Sequence, residues 1–262
     1  MGLLTDKIQV NIPFIMLYES YLDLFTRYNL NPEIGFDADA LDRFTVSKVE
    51  AIVRPLHDCG LTITVHAPFM DLSPGSPDPQ IRALTRQRLE KLLGLMPVLS
   101  PKTVVCHTGY DHRRYWHMRD IWIRNSLETW TWFGQEIRDL GAVMMLENVY
   151  ERGPDDMLCL FERFQELEVG FCLDTGHQAV FSNAPLEEWI DAMGPYLGQL
   201  HLHDNLGMRD DHLALGRGNI DFHKLLDLLV SIEKFPQIIT LEPHEKEAFW
   251  ESLEYLERIW PW

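Results

Sequence analysis

The stretch KTVVCHTG at residues 102–109 carries the pattern that decides the fold of this chain. An apolar run of β-forming residues ends in a histidine and is followed by a turn. The pattern returns in AVMMLENV at 142–149 and VGFCLDTGH at 169–177, where the runs end in acidic residues. Between such runs, segments such as 80–96 and 127–140 have apolar residues at helical spacing. Buried runs alternating with amphipathic helices predict a parallel sheet with helices outside it.

Outward from this stretch, eight strand-and-helix units can be counted, which predicts one (β/α)8 TIM barrel over residues 1–262. The length of 262 residues suits such a barrel, which commonly has about 250. The predicted strands are KIQVNIPF from Lys7, EIGFD from Glu33, LTITV from Leu61, KTVVC from Lys102, AVMML from Ala142, VGFCL from Val169, GQLHL from Gly198 and QIITL from Gln237.

The charge balance argues against an extended nucleic acid as substrate. The chain has 40 acidic and 23 basic residues, a net charge of -17, which repels a phosphate backbone. Bound divalent cations would offset part of this charge locally. The sequence therefore favours a small-molecule substrate, and an oligomer stays open.

The apolar segments and cysteines indicate the compartment. The N-terminal apolar run is too short for a signal peptide, and no later run reaches the roughly 20 apolar residues that span a bilayer. The four cysteines have no C-x-x-C spacing, which favours reduced core thiols. We expect a cytoplasmic protein without a membrane segment.

Candidate metal ligands lie at or near the ends of six predicted strands. Parallel strands of a barrel end on one face, where active sites are built. Gathering acids and imidazoles there is costly unless cations compensate them. These six residues are His66, His107, Glu147, Asp174, His201 and Glu242, and the following turns add His177, Asp210 and His212.

Each of these residues alone also has an ordinary interpretation. A strand-end acid such as Asp174 usually caps the next helix, and a single histidine such as His66 is more often a hydrogen-bonded core or loop residue. The joint pattern favours a metal site at the barrel mouth. Mixed histidine and carboxylate ligands suit Zn, Mn or Fe better than Ca.

Weaker candidates for substrate contact lie near the same face. The loop DHRRYWHMRD at 111–120 places guanidinium and aromatic groups where they could hold a phosphate or a flat ligand, although a solvated capping loop is an equal alternative. His203 follows His201 by two residues, so it is either a barrel-lining partner or a substituted ligand. The turn Gly216-Arg217-Gly218 offers an anion contact. The five candidates are Arg113, Arg114, Tyr115, His203 and Arg217.

Several motifs together resemble the xylose-isomerase-like barrels, a superfamily that includes sugar phosphate isomerases and epimerases and endonuclease IV. The resemblance runs in order from the third strand to the eighth. Its motifs are HAPFMDLSPGS at 66–76, VVCHTG at 104–109, LENV at 146–149, CLDTGH at 172–177, HLHDN at 201–205, DDHLALGRGNID at 210–221 and LEPH at 241–244.

The resemblance implies metal ligand sets. In the endonuclease IV branch it implies three zinc ions, and all nine positions are filled here. The first ion would be held by His66, His107 and Glu147, the second by Glu147, Asp174, His201 and Glu242, and the third by His177, Asp210 and His212. The isomerase and epimerase branch needs only the second set, around one Mn, Mg or Co ion.

The extra ligands favour hydrolysis of a phosphodiester in a small sugar-containing molecule. In this hypothesis the metals activate a water and stabilise the departing oxygen, so no side-chain nucleophile is required. The acidic charge and the HAPFMDLSPGS loop are similar to those of cobamide-remodelling phosphodiesterases, which makes a cobamide one candidate substrate.

Other functions stay open. The main alternative is a sugar or sugar phosphate isomerase or epimerase, in which Glu147 and Glu242 shuttle a proton. A metal-stabilised binding module is less favoured, because a structural site would close its coordination. An abasic-site endonuclease is disfavoured by the acidic charge.

Overall fold

Eight parallel strands, hydrogen-bonded in chain order with the eighth beside the first, close into a barrel. The computed structural model describes residues 4–164 and 167–262. This arrangement confirms the predicted (β/α)8 barrel. The strands are β1 Gln9–Pro13, β2 Asn31–Gly35, β3 Thr64–His66, β4 Thr103–His107, β5 Val143–Glu147, β6 Val169–Asp174, β7 Leu197–Leu202 and β8 Ile238–Leu241.

Helices alternate with the strands along the chain and cover the outside of the barrel. A π-helical turn at Leu17–Tyr21 and 3-10 turns at Trp116–Met118 and Gly194–Tyr196 interrupt them. The α-helices are α1 Phe14–Met16, α2 Leu22–Tyr28, α3 Ala38–Arg43, α4 Val46–Asp58, α5 Pro79–Leu93, α6 Met96–Leu99, α7 His112–Tyr115, α8 Arg119–Asp139, α9 Asp155–Phe161, α10 Thr175–Phe181, α11 Leu186–Met193, α12 Phe222–Ser231 and α13 Lys246–Ile259.

Two strands differ most from the predicted boundaries. β2 begins two residues early, because Asn31 already pairs with Gln9 of β1. It ends two residues early, because Asp37 caps α3 by accepting a hydrogen bond from the Ala40 N–H at 2.7 Å. β3 begins at Thr64, because the Thr62 N–H is taken by the Asn31 side chain at 2.9 Å and not by a neighbouring strand. Short polar side chains compete with the ladder for backbone groups at both places.

The barrel interior at mid-height is polar. The Gln199 side chain of β7 accepts a hydrogen bond from Thr103 of β4 at 2.8 Å and donates one to Glu33 of β2 at 2.6 Å. These bonds join strands that are not neighbours in the sheet, so they cross the interior. The large apolar core lies mainly between strands and helices. Buried polar groups in such a network fix side-chain positions because each must be satisfied.

The four cysteines are free, as predicted, but the prediction of core thiols holds only for Cys106 and Cys172, because Cys159 is half-buried and Cys59 is exposed. Across the parts of the chain that are described, none of the helices combines the length and apolarity needed to cross a bilayer.

Candidate metal centre

The first donor group joins the ends of three neighbouring strands. The Nε2 atoms of His66 and His107 lie 3.2 and 3.5 Å from Glu147 Oε2. His107 and Glu147 are register partners in adjacent strands, so the barrel itself brings them together. Phe69 stacks on the His107 ring at 4.2 Å between centroids and covers one side of the group. These three donors can surround a single ion.

The second and third donor groups share His203. Its Nε2 lies 3.2 Å from Asp174 Oδ1 and 3.5 Å from Asp210 Oδ1. His177 Nε2 and His212 Nε2 each lie 3.3 Å from Asp210 Oδ2. The structure therefore draws these residues of β6, β7 and the following turns into one cluster. His203, the weaker of the two β7 candidates from sequence, lies at its centre.

His201 lies deeper, with no exposed surface. Its Nδ1 is 3.0 Å from Glu242 Oε1 and 3.5 Å from Glu147 Oε2, while its Nε2 is turned to Glu33. Among the described residues, Asp174 does not form one close donor group with Glu147, His201 and Glu242, as the resemblance implies, but groups with His177 and His203. The cause is local, because Asp174 also caps α10 by accepting the His177 N–H at 2.6 Å.

Backbone carbonyls orient three of the histidines. The Nδ1 atoms of His66, His177 and His212 donate to the carbonyls of Ala67, Asn148 and Glu242 at 3.0, 3.0 and 3.1 Å. A carbonyl only accepts, so each Nδ1 carries the proton and each Nε2 is left free for a ligand. Such hydrogen bonds fix the tautomer and ring orientation of metal-binding histidines.

Unpartnered polar atoms test whether the site fits metal ions. Within residues 4–164 and 167–262, several buried donor atoms of the cluster form no hydrogen bond, although acids and imidazoles crowd within 4 Å of them. Leaving buried polar atoms unsatisfied is costly, and cations coordinated there would remove that cost. The atoms are Asp174 Oδ2, His201 Nδ1, both ring nitrogens of His203, and Asp210 Oδ1. The residues present therefore fit divalent ions.

Electrostatics keep the carboxylates of the cluster ionised, and neighbouring acidic groups outweigh burial and raise the pKa of His66, His177, His201 and His212. Burial raises the pKa of Glu147, but the neighbouring histidines, His201 and His177 among them, outweigh burial and hold that pKa well below its ordinary range. Burial also raises the pKa of Asp174, but the neighbouring His177 outweighs burial and the pKa falls to about 2. Burial lowers the pKa of His107 to about 3, so this ring is neutral at pH 7. Ionised carboxylates and a neutral imidazole are the forms that bind metals.

The loop that carries Asp210 and His212 is fastened by one buried carboxylate. Asp204 accepts backbone N–H groups from both ends of the loop, those of Asn205, Gly216, Gly218 and Ile220, at 2.8 to 3.1 Å. Gly216 has φ +82°, and a side chain at Gly218 would collide with the Asn205 carbonyl. The G-R-G turn therefore serves to wrap the chain around Asp204.

The remaining substrate candidates have partners away from the cluster. Arg113 and Arg114 pair with Asp111 at 3.1 and 3.6 Å, and Arg217 pairs with Glu251 at 3.0 Å. The Tyr115 hydroxyl lies 2.9 Å from Ser73 Oγ and ties α7 to the loop after β3. Their role in substrate contact stays a prediction.

Two residues of the site were missed by sequence reasoning. Glu33 contacts His201 at 3.0 Å, and its only sequence signal is an acid inside an apolar strand. His244, the last residue of the LEPH motif, stacks on His212 at 3.9 Å, and His212 stacks on His203 at 3.7 Å. The stack leads from the buried cluster to the surface.

Comparisons with known proteins agree on the fold. The family model of the xylose isomerase-like TIM barrel matches residues 32–259. The protein MJ1311 of Methanocaldococcus jannaschii is 30% identical over 187 residues, which are 69% of this chain and 64% of that protein. This chain therefore spans a little under two thirds of that relative.

Solved structures cover nearly the whole chain. The TTHB071 protein of Thermus thermophilus, in crystals soaked with ZnCl2, is 28% identical with a TM-score of 0.81 and covers 97% of this chain and 98% of its own. A D-tagatose 3-epimerase-like protein is 24% identical with a TM-score of 0.80, covering 97% and 96%. D-psicose 3-epimerase of Clostridium cellulolyticum is 17% identical with a TM-score of 0.75, covering 97% and 98%. At these last two identities the likeness shows the fold alone.

Proposed function

Because this chain belongs to the xylose isomerase-like TIM-barrel family, we propose that it is a metal-dependent enzyme that hydrolyses a phosphodiester in a small sugar-containing molecule. The observation that carries this proposal is the surplus of oriented donors. His66 and His107 flank Glu147 on one side, and Asp210 and His212 extend the cluster on the other. A single ion would leave some of these donors uncoordinated, whereas several ions could be bound by all of them.

The chain's own residues would divide the work by position. Glu147 Oε2 faces His66 and His107, while its Oε1 lies 3.1 Å from His177 Nδ1, the protonated nitrogen that also donates to the Asn148 carbonyl. Glu147 therefore helps to fix the orientation of the His177 ring. Asp210 is the most open of the ligands and marks the side on which substrate enters. Divalent ions held here would supply an activated water and positive charge for the reacting phosphate.

We propose zinc as the ion. Histidine nitrogens form a large share of the donors, which suits zinc better than the hard cations Mg²⁺ or Ca²⁺. A structure similar to this chain comes from crystals soaked with ZnCl2, which supports the same choice. Mn or Co remains the expected alternative for a single-ion isomerase site. A cobamide stays one candidate substrate.

Epimerisation or isomerisation of a sugar is the second candidate. Two proteins that share the fold, the D-tagatose 3-epimerase-like protein and D-psicose 3-epimerase, carry that chemistry in their names, and none of the named structures carries hydrolysis. Glu147 and Glu242 both approach the same nitrogen of His201, at 3.5 and 3.0 Å from its Nδ1. Two carboxylates placed across one ion could exchange a proton with a hydroxy-carbonyl substrate. This function needs neither His107 nor His212.

Metal stoichiometry separates the two candidates. Protein reconstituted with zinc, and separately with manganese, is desalted and analysed by elemental mass spectrometry. About three ions per chain support the multinuclear hydrolase, and about one ion supports the isomerase or epimerase.

Two variants give an independent test with a generic probe. We expect His107→Gln and His212→Gln each to abolish zinc-dependent hydrolysis of bis(p-nitrophenyl) phosphate. His57→Gln, an exposed change on α4, should hydrolyse it like the unmodified protein. Full hydrolysis by both ligand variants would reject the multinuclear mechanism.

A further inference from the structure

Glu33 lies in the middle of β2, inside the barrel and fully buried. Every polar group that contacts its carboxylate is a hydrogen-bond donor. Oε2 accepts from Gln199 Nε2 at 2.6 Å, Thr240 Oγ1 at 3.0 Å and Thr64 Oγ1 at 3.2 Å, and Oε1 accepts from His201 Nε2 at 3.0 Å and Asn11 Nδ2 at 3.2 Å. Five donors around two oxygens suit an ionised carboxylate and no neutral group.

The donors around Glu33 fix the proton on His201. Gln199 cannot turn its amide, because its oxygen would then replace the nitrogen that lies 2.6 Å from Glu33 Oε2, and two oxygens that only accept would face each other. The Gln199 nitrogen lies 3.3 Å from His201 Nε2, but its two hydrogens point to Glu33 and to Thr240 Oγ1 at 3.2 Å. His201 Nε2 therefore carries a hydrogen that it donates to Glu33.

This leaves the other ring nitrogen of His201 for the cluster. Nδ1 faces Glu242 at 3.0 Å and Glu147 at 3.5 Å and forms no hydrogen bond. His66, His177 and His212 are oriented by carbonyls, whereas His201 is oriented by a full negative charge. A carboxylate behind an imidazole raises its basicity as a metal ligand.

We propose that Glu33 is a positioning residue of the metal centre, which holds the His201 ring with Nδ1 toward the ions and strengthens it as a ligand. The inference rests on the proposed function in that it assumes the cluster binds metal. It assigns a role to β2, a strand that supplies none of the nine ligand positions implied by the resemblance. The polar layer inside the barrel then acts as a support for the site above it.

The first test measures zinc affinity by competition with a chromophoric chelator. Glu33→Gln keeps the size of the side chain but removes the charge, and we expect zinc affinity to fall about 10–100-fold. The matched control is Glu128→Gln, which makes the same chemical change at an exposed position of α8. It should bind zinc as tightly as the unmodified protein, with circular dichroism and thermal melting verifying both folds.

A spectroscopic measurement on the unmodified protein keeps the inference testable if Glu33→Gln does not fold. In ¹⁵N-histidine-labelled protein, the Nε2–H of His201 should give a downfield resonance that exchanges slowly with solvent. Its loss in His201→Gln assigns it. Zinc should perturb Nδ1 of this ring and leave the Nε2–H in place.

The outcomes separate this inference from the proposed function. Tight zinc binding by Glu33→Gln equal to that of the unmodified chain would overturn the role of Glu33 alone. An Nδ1–H tautomer of His201 in the zinc-loaded protein would do the same. Unmodified protein that binds no zinc would overturn the proposed metal enzyme, and the positioning role with it.

Discussion

His203 is the side chain on which the donor groups converge. Neither of its ring nitrogens forms a hydrogen bond, and the ring is held by stacking on His212 at 3.7 Å. We expect His203→Gln to lose about one zinc ion per chain and at least about tenfold in activity, because Asp174 and Asp210 lose their shared partner. Elemental analysis after desalting checks this. The exposed change His57→Gln is the control, and undiminished zinc in the His203 variant would reject a ligand role.

The buried carboxyl group of Glu151 makes the free energy of unfolding depend on pH. Burial raises the pKa of Glu151 to about 7 from an ordinary 4.5, a shift that hydrogen bonds from the Thr108 hydroxyl and the Val149 N–H limit and that Asp156 increases. Between those values the folded chain keeps a proton that the unfolded chain has released. The free energy of unfolding therefore falls as pH rises through this window, by roughly 3 kcal/mol in all.

Replacing Glu151 by glutamine should remove this loss of unfolding free energy at high pH. The amide imitates the protonated acid, so Glu151→Gln should match the unmodified protein near pH 4.5 and exceed its unfolding free energy by roughly 2–3 kcal/mol at pH 8. Urea denaturation of the metal-free proteins measures it, with the exposed Glu128→Gln as control. A constant difference across pH would contradict the prediction.

At the scale of elements, the first turn of α10 and the end of β7 are fitted to each other. A Cβ on Gly176 would lie 1.8 Å from His203 Cε1, so the glycine of the D-T-G-H motif makes room for the ring. We expect Gly176→Ala to keep the helix but to displace His203, with loss of about one zinc ion per chain. Gly153→Ala, whose Cβ would meet only Ala184 at 3.4 Å, is the control. Normal zinc content in Gly176→Ala would show that the ring can move without consequence.

The elements also show what sequence can predict. Strand-end positions are readable because parallel strands end on one face, and His107, Glu147 and Asp174 lie at the predicted ends. The orientation of the histidine rings cannot be predicted from sequence, because it depends on carbonyl groups and acidic side chains that are far apart in the chain. The period of two places His201 and His203 on one side of β7 but does not tell which contacts the cluster. Glu33 was missed because a lone acid in an apolar strand has no local pattern.

At the scale of the whole molecule, the net charge of -17 bears on the abasic-site alternative. Repulsion of phosphate should prevent binding to a duplex even when the cluster is filled. We expect fluorescence anisotropy at low salt to detect no difference between zinc-loaded protein with an abasic duplex and with an unmodified duplex, and no binding to either. Binding that weakens steeply as salt is added would instead favour a DNA substrate.

Asp204 gives the mouth of the barrel a kinetic property. Because one carboxylate holds both ends of the loop, the backbone between them forms a closed ring, and Asp210 and His212 sit within it. The two side chains therefore approach or leave the cluster together, in one event that leaves the strands undisturbed. Extraction of the outermost ion by a chelator should then follow a single exponential. The ions beside Glu147 should be released at a slower rate, because their ligands lie on the barrel strands.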